Sequence, residues 1–217
     1  MKPSKLLCGV LAVLTALSLL TAAIAAPILC RPFYYAHIAP LGLEARTGLT
    51  ESEIKTAFDE MLDYCLGAEE FSTGALHWSE SGKSHFTDVR ALFLLDLRVL
   101  GASLALLAAA LLYARLSGRT PARPLGRGPG FWAGAGFGGV FLLVGALAAL
   151  DFNRAFVAFH VLFFPGKDNW LFDPRTDQII NILPQEFFRN CAILILVLLI
   201  TGCAALILWD LRRGRRA

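Results

Sequence analysis

Four apolar runs divide the chain, at about residues 6–30, 90–114, 131–151 and 187–209. A helix needs roughly 20 apolar residues to cross a hydrocarbon core about 30 Å thick, and every run reaches that length. A backbone in lipid must satisfy its own polar groups, which such runs do as helices; Asp96 and Arg98 inside the second run are expected to face the bundle interior or snorkel to the interface. The expected fold is therefore an all-α polytopic membrane protein. It has four transmembrane helices in a single membrane domain, residues 1–217. Composition agrees: 56% hydrophobic residues and a mean hydropathy of +0.60 exceed what a water-soluble domain carries. The first run follows Lys2 and Lys5, and Ala23-Ile24-Ala25 resembles a signal-peptide cleavage site. The run is longer than a secretory h-region, so a retained anchor is expected.

Charge placement sets the orientation. Segments 1–5, 115–130 and 210–217 hold ten Lys and Arg, with Asp210 their lone acid. Residues 31–90 hold ten of the seventeen acidic residues. The positive-inside rule puts the basic segments in the cytoplasm. Both termini are then inside, and residues 31–89 and 152–186 are extracytoplasmic with helical stretches of their own.

In the first outer segment, Thr50-Glu51-Ser52-Glu53 is a capping box. Ile54, Phe58, Met61 and Leu62 follow at helical spacing, and Gly67 is placed to end the helix. Gly74 and Ser81-Gly82 read as turns. Ser84 reads as the N-cap of the second membrane helix, with His85 in its first turn and Asp88 on the same face. After the third span the helical pattern continues through Phe152, Phe156, Phe159, His160 and Phe163 to Pro165-Gly166. A straight helix from Phe131 to Phe164 would be about 50 Å long, so its last part projects, tilts or bends along the interface. Asp173-Pro174 reads as an N-cap and first residue of a short helix.

His85 and His160 both fall near the outer membrane face, distant in sequence but close in depth. An imidazole with its ordinary pKa near 6.5 is largely neutral at pH 7 and serves as base or nucleophile. The bland alternatives are a helix-start histidine meeting headgroups and a packed histidine with one satisfied hydrogen bond. Asp88 is placed to hold a ring nitrogen of His85. Asp168, Asn169 and Asp177 either orient a histidine or bind a substrate amine, or else form turns and caps, which is the expected role of Asp173. Trp170 is a further candidate to orient a histidine or bind substrate; Trp170 and Trp78 also suit an interfacial aromatic belt, Asp151 and Arg154 an ion pair, and His37 and His77 solvent. The five cysteines form no disulfide framework. Absence of HExxH, CxxC, GxSxG, phosphate-loop, dinucleotide or nucleic-acid motifs leaves no metal, no cofactor and no nucleic-acid partner expected. A histidine among aromatics at a membrane edge suits a substrate that is half lipid and half polar. A histidine-dependent lipid ester hydrolase and a non-enzymatic accessory or transport protein both remain open.

Two blocks resemble one family. The first is His85-Phe86-Thr87-Asp88-Val89-Arg90, an H-x-x-D-V-[KR] motif. The second runs from Phe159-His160 and Phe163-Phe164 through Asp168-Asn169-Trp170, Asp173-Pro174 and Asp177 to Pro184–Phe188. They resemble the lipoprotein intramolecular transacylases, four-span membrane proteins of Gram-positive bacteria. The resemblance implies a cofactor-independent acyltransferase at the outer face of the bacterial cell membrane. Its partners would be the bilayer and diacylated lipoproteins with a lipidated N-terminal cysteine. The reaction the resemblance implies would move the sn-2 acyl chain of the S-diacylglyceryl cysteine to the α-amino group, giving a lyso-form lipoprotein. The resemblance maps the family's two histidines to His85 and His160. The expected division makes His160 the nucleophile, shielded by aromatics, and His85 the acid/base. The alternative is base activation of the amine with neither histidine acylated.

Overall fold

The computed structural model describes residues 2–214; the expected tail arginines Arg215 and Arg216 lie outside them. Eight α-helices appear among the described residues: α1 Lys5–Leu29, α2 Arg31–Ile38, α3 Leu43–Thr47, α4 Glu51–Leu66, α5 Glu80–Leu116, α6 Pro129–Leu150, α7 Phe152–Phe163 and α8 Gln185–Gly214. Four of them, α1, α5, α6 and α8, are long and apolar enough to cross a membrane. Two short strands, β1 Lys2–Ser4 and β2 Arg119–Pro121, pair in parallel. The chain divides into two compact units.

The first unit comprises Met1–Ile24, Asp96–Leu147 and Leu194–Ala217. Small residues set its packing, as expected where lipid gives helices no hydrophobic drive to associate. Ala12, Ala16 and Ala133 form a buried cluster flanked by Phe137 and Leu206. A Cβ on Gly134 would stand 2.7 Å from the Cys203 carbonyl oxygen, so only glycine lets α6 approach α8 this closely. Gly138 also faces Cys203, whereas Gly136 and Gly139 face open space and do not set that approach. Ser18 and Ser103 share a buried hydrogen bond of 2.9 Å between α1 and α5. The strand pairing joins Lys2 to Arg119, and Arg123 bonds Asp210, which is 1% exposed. Three basic stretches are thereby tied at one end of this unit.

The second unit comprises Ala25–Leu95 and Ala148–Ile193. Its core is aromatic and aliphatic. Tyr34 stacks on Phe58 at 3.7 Å, and its hydroxyl donates to the Ile182 carbonyl at 2.8 Å. Ile38, Leu43, Ile54, Ile179 and Phe187 are buried with them. Thr50 and Glu53 make the capping box of α4, and Gly67 ends that helix with φ 127°.

Three local expectations are corrected. Helix α5 begins at Glu80, not Ser84: the Ser79 hydroxyl accepts from the Gly82 amide, so Ser79 is the N-cap and Gly82 lies in the first turn. The helical run past the third span is not continuous. Asp151 leaves helical geometry at φ −155° and accepts the Arg154 amide, so a separate α7 starts after it. Asp173 caps a turn through the Arg175 amide, and the short helix is a 3-10 turn at Gln178–Asn181. Asp151 also pairs with Arg154 at 3.0 Å.

Candidate active site

The second unit brings His85 and His160 together. They come from α5 and α7, are 5% and 7% exposed, and their rings lie 5.7 Å apart with 28° between planes. His160 is the one inward polar residue of α7. It shares a helical face with Phe152, Phe156 and Phe164, while Val157, Phe159, Val161, Leu162 and Phe163 are exposed.

The His160 ring is fixed on three sides. Its Nδ1 lies 2.7 Å from the Phe156 carbonyl oxygen. A carbonyl only accepts, so Nδ1 carries the proton of the neutral ring and Nε2 keeps a lone pair. Phe156 packs at 4.3 Å and Trp170 stacks at 4.7 Å with 29° between planes. Burial holds the His160 pKa below its ordinary value, because the imidazolium loses its water; the Phe156 carbonyl opposes this by favouring the protonated ring. The ring is therefore a neutral base at neutral pH.

His85 is walled by Phe164 at 5.0 Å, Phe172 at 5.3 Å and Phe86 at 5.9 Å. Its Nδ1 is buried without a hydrogen-bond partner. The Asn169 carboxamide lies beside the ring, and its Oδ1 is also buried and unpartnered. Asn169 is oriented through its other end: Nδ2 donates to Asp88 Oδ2 at 3.0 Å and to Ser84 Oγ at 3.3 Å. One proton on His85 Nδ1, directed at Asn169 Oδ1, would satisfy both atoms and leave Nε2 as the basic nitrogen.

The other sequence-derived candidates divide. Asp88, Asn169 and Trp170 gather around the histidines, although Asp88 bonds Asn169 and Lys167 rather than the His85 ring. Asp177 is buried and takes the Ser79 amide at 2.8 Å and hydroxyl at 2.9 Å, holding the start of α5. Asp168 is exposed, and its main-chain carbonyl closes a turn to Leu171. His77 is exposed as expected, whereas His37 is half-buried against the Phe33 carbonyl. Sequence reasoning missed Lys167, whose ammonium lies 2.5 Å from Asp88 Oδ1. The only signal for it was a single cation directly after Pro165-Gly166. Phe172 was missed too, because nothing local ties it to a histidine 87 positions away in sequence. Among the described residues no group of three or more His, Cys, Asp or Glu is placed to hold a metal.

Comparison with known proteins gives the family. A family model described as lipoprotein intramolecular transacylase Lit matches residues 9–188. The in meso structure of the membrane integral Lit from Bacillus cereus is similar at 25% identity and TM-score 0.84, covering 98% of this chain and 97% of that one. The same Bacillus cereus protein with an H85R mutation is similar at 25% identity and TM-score 0.75, covering 97% and 93%. With an H85A mutation it shares the fold at 24% identity and TM-score 0.77, covering 98% and 95%. No curated protein sequence matches the chain. With four apolar helices, two facing buried histidines and a family match over most of its length, the chain belongs to the lipoprotein intramolecular transacylase family, Lit.

Proposed function

We propose that this protein moves the sn-2 acyl chain of an S-diacylglyceryl cysteine to that cysteine's own α-amino group, and that His85 and His160 perform the transfer. The observation carrying the reading is the pair of facing, buried imidazoles, one with its proton committed to a main-chain carbonyl. Donor and acceptor belong to one substrate molecule, so the protein needs only to orient them, move protons and exclude water. Aromatic walls around both rings suit that last task.

In this reading His160 Nε2 attacks the ester carbonyl carbon. The ester C–O bond breaks, and the glycerol oxygen takes a proton from His85, which drew it from the substrate α-ammonium. The freed amine attacks the acyl-imidazolium, and the bond to His160 breaks. The surplus amine proton leaves through His85 to solvent. One ester and one ammonium become one amide, one alcohol and one proton. Asn169, held by Asp88, keeps the His85 ring in the tautomer with Nε2 free.

The reaction face is extracytoplasmic in this proposal. The supporting facts are the basic character of segments 1–5, 115–130 and 210–217 and their linkage through Lys2–Ser4 with Arg119–Pro121 and Arg123 with Asp210. The partners are then a diacylated membrane lipoprotein and the outer leaflet.

Mass spectrometry of the N-terminal lipopeptide of a reporter lipoprotein tests the reading. The reporter is co-expressed with the wild type, His85→Ala or His160→Ala in a host making only the diacyl form. Transfer leaves total acyl mass unchanged, so fragmentation must locate the chains. An acyl group on the α-amine with wild type alone supports the proposal. Loss of one acyl mass with a free amine would indicate a hydrolase. Unaltered lipids in a well-inserted protein would indicate a non-enzymatic role.

A further inference from the structure

A groove of about 300 Å³ opens within the second unit, lined by Asp88, Ala91, Leu92, Phe163, Phe164, Pro165 and Lys167. Its walls are apolar except for the two charged side chains, which face each other as an ion pair with 2.5 Å between Nζ and Oδ1. Phe164 is shared between the groove and the histidines, packing 5.0 Å from the His85 ring and 5.7 Å from that of His160. The groove therefore abuts the imidazoles.

The two members of the pair are held unequally. Asp88 stands on α5, and Asn169 Nδ2 fixes its other oxygen at 3.0 Å, so the carboxylate keeps its direction without the lysine. Lys167 follows Gly166, a turn residue at φ 73°, and nearly half of its side chain is exposed. Its ammonium ends a flexible four-carbon stem with no acceptor other than Asp88 among the described residues. A rigid carboxylate in an apolar groove is thus occupied by a displaceable primary ammonium.

We propose that Asp88 is the receptor for the substrate's α-ammonium and that Lys167 is a resident stand-in, which the substrate displaces on binding. This rests on the transacylase reading above and adds to it the residue that recognises the acceptor nitrogen. The ligand class is a primary ammonium carried on a diacylated thioether. The ammonium has the charge and the three N–H donors of Lys167 Nζ, and the apolar walls accept the lipid beside it. Displacing Lys167 puts the amine in the groove that shares Phe164 with both histidines. The same exchange disfavours N-acylated product, which carries no charge to compete with the lysine.

The test uses full-length detergent-solubilised protein and a synthetic S-diacylglyceryl-cysteine peptide with a free α-amine. Its N-acetylated analogue is the neutral probe. Binding of both is measured by thermophoresis, and kcat and KM by mass spectrometry. Removing the competitor in Lys167→Met should tighten binding of the amine peptide about fivefold, the upper range for a solvent-accessible ion pair, and lower KM by a similar factor. Lys167→Arg keeps a resident cation and should restore wild-type affinity. Asp88→Asn, which retains an acceptor for Asn169, should weaken the amine peptide about fivefold or more and leave the acetylated probe unchanged. A fall in kcat with unchanged binding in Lys167→Met would overturn the proposal, making Lys167 part of the chemistry. Equal weakening of both ligands by Asp88→Asn would also overturn it. Wild-type protein that binds with this pattern but transfers no acyl chain would sink the transacylase reading alone.

Discussion

Replacing Asp177 separates a residue that builds the site from one that touches substrate. The carboxylate is 5% exposed and accepts from the Ser79 amide at 2.8 Å, the Ser79 hydroxyl at 2.9 Å and the Thr176 hydroxyl at 3.2 Å. Ser79 in turn caps α5, the helix that carries His85 two turns on. Gly82 leaves the room: a Cβ there would stand 2.1 Å from Asp177 Oδ1. In Asp177→Ala the Thr176 hydroxyl, on an exposed residue, finds water. The Ser79 amide loses a bond to a charged acceptor, about 1.5–3 kcal/mol. A negative charge also leaves the helix N-terminus, about 0.3–1 kcal/mol. The expected loss is about 3 kcal/mol, and for Asp177→Asn, which keeps an acceptor oxygen, about 1 kcal/mol. At roughly 2–4 °C per kcal/mol for a chain of this size, Tm should fall by about 6–12 °C and about 2–4 °C respectively. Tryptophan fluorescence melts in detergent read this, with transfer measured on the same samples below the transition. Activity per folded molecule should stay near wild type in Asp177→Asn, because the Asp177 side chain bonds only Ser79 and Thr176 among the described residues. An Asp177→Ala protein with wild-type Tm and no transfer would refute the reasoning and make Asp177 a substrate contact.

Three further outcomes are expected. Because burial lowers the His160 pKa from 6.5, its neutral state should persist below pH 6.5, placing the acid limb of the pH–rate profile there. The stability linked to that neutral ring is present above pH 6.5 and lost as pH falls towards the folded value, so melts of wild type and His160→Gln should converge in acid; an acid limb above pH 6.5 would contradict it. Gly134→Val sets a Cβ 2.7 Å from the Cys203 carbonyl oxygen and should cost about 1–3 kcal/mol of stability, whereas Gly136→Ala, facing open space, should melt like wild type. Trp170→Ala uncovers the His160 ring that it stacks on at 4.7 Å. Released fatty acid should then rise relative to N-acylated product, and an unchanged ratio would show that Trp170 does not keep water out.

The parts legible in the sequence were those with local causes. Twenty apolar residues in a row specify a membrane helix wherever they occur, and Thr50 and Glu53 bond each other across a single turn. His85 and His160 were legible as candidates because a polar ring in an apolar setting is conspicuous. The start of α5 was misplaced for a physical reason. Glu80-Ser81-Gly82-Lys83 has turn-like composition, and the group that makes it helical is Asp177, 98 positions from the Ser79 it binds. The break at Asp151 was hidden because one aspartate both continues the helical periodicity and caps a new helix. Lys167 carries no local signal because its partner, Asp88, lies 79 positions away.

The break at Asp151 also resets rotational phase. An α-helix turns about 100° per residue, so in one unbroken helix a single inserted residue would swing every later side chain to another face. Because α7 takes its origin afresh from the Asp151 cap, the azimuth of His160 depends on the interval from Asp151 and not on the number of residues in α6. Insertions in α6 should therefore be absorbed at the break, while one residue added between Asp151 and His160 would aim the imidazole away from its partner. The length of the third span is free to follow the thickness of the bilayer, and the register of the His160 ring is not.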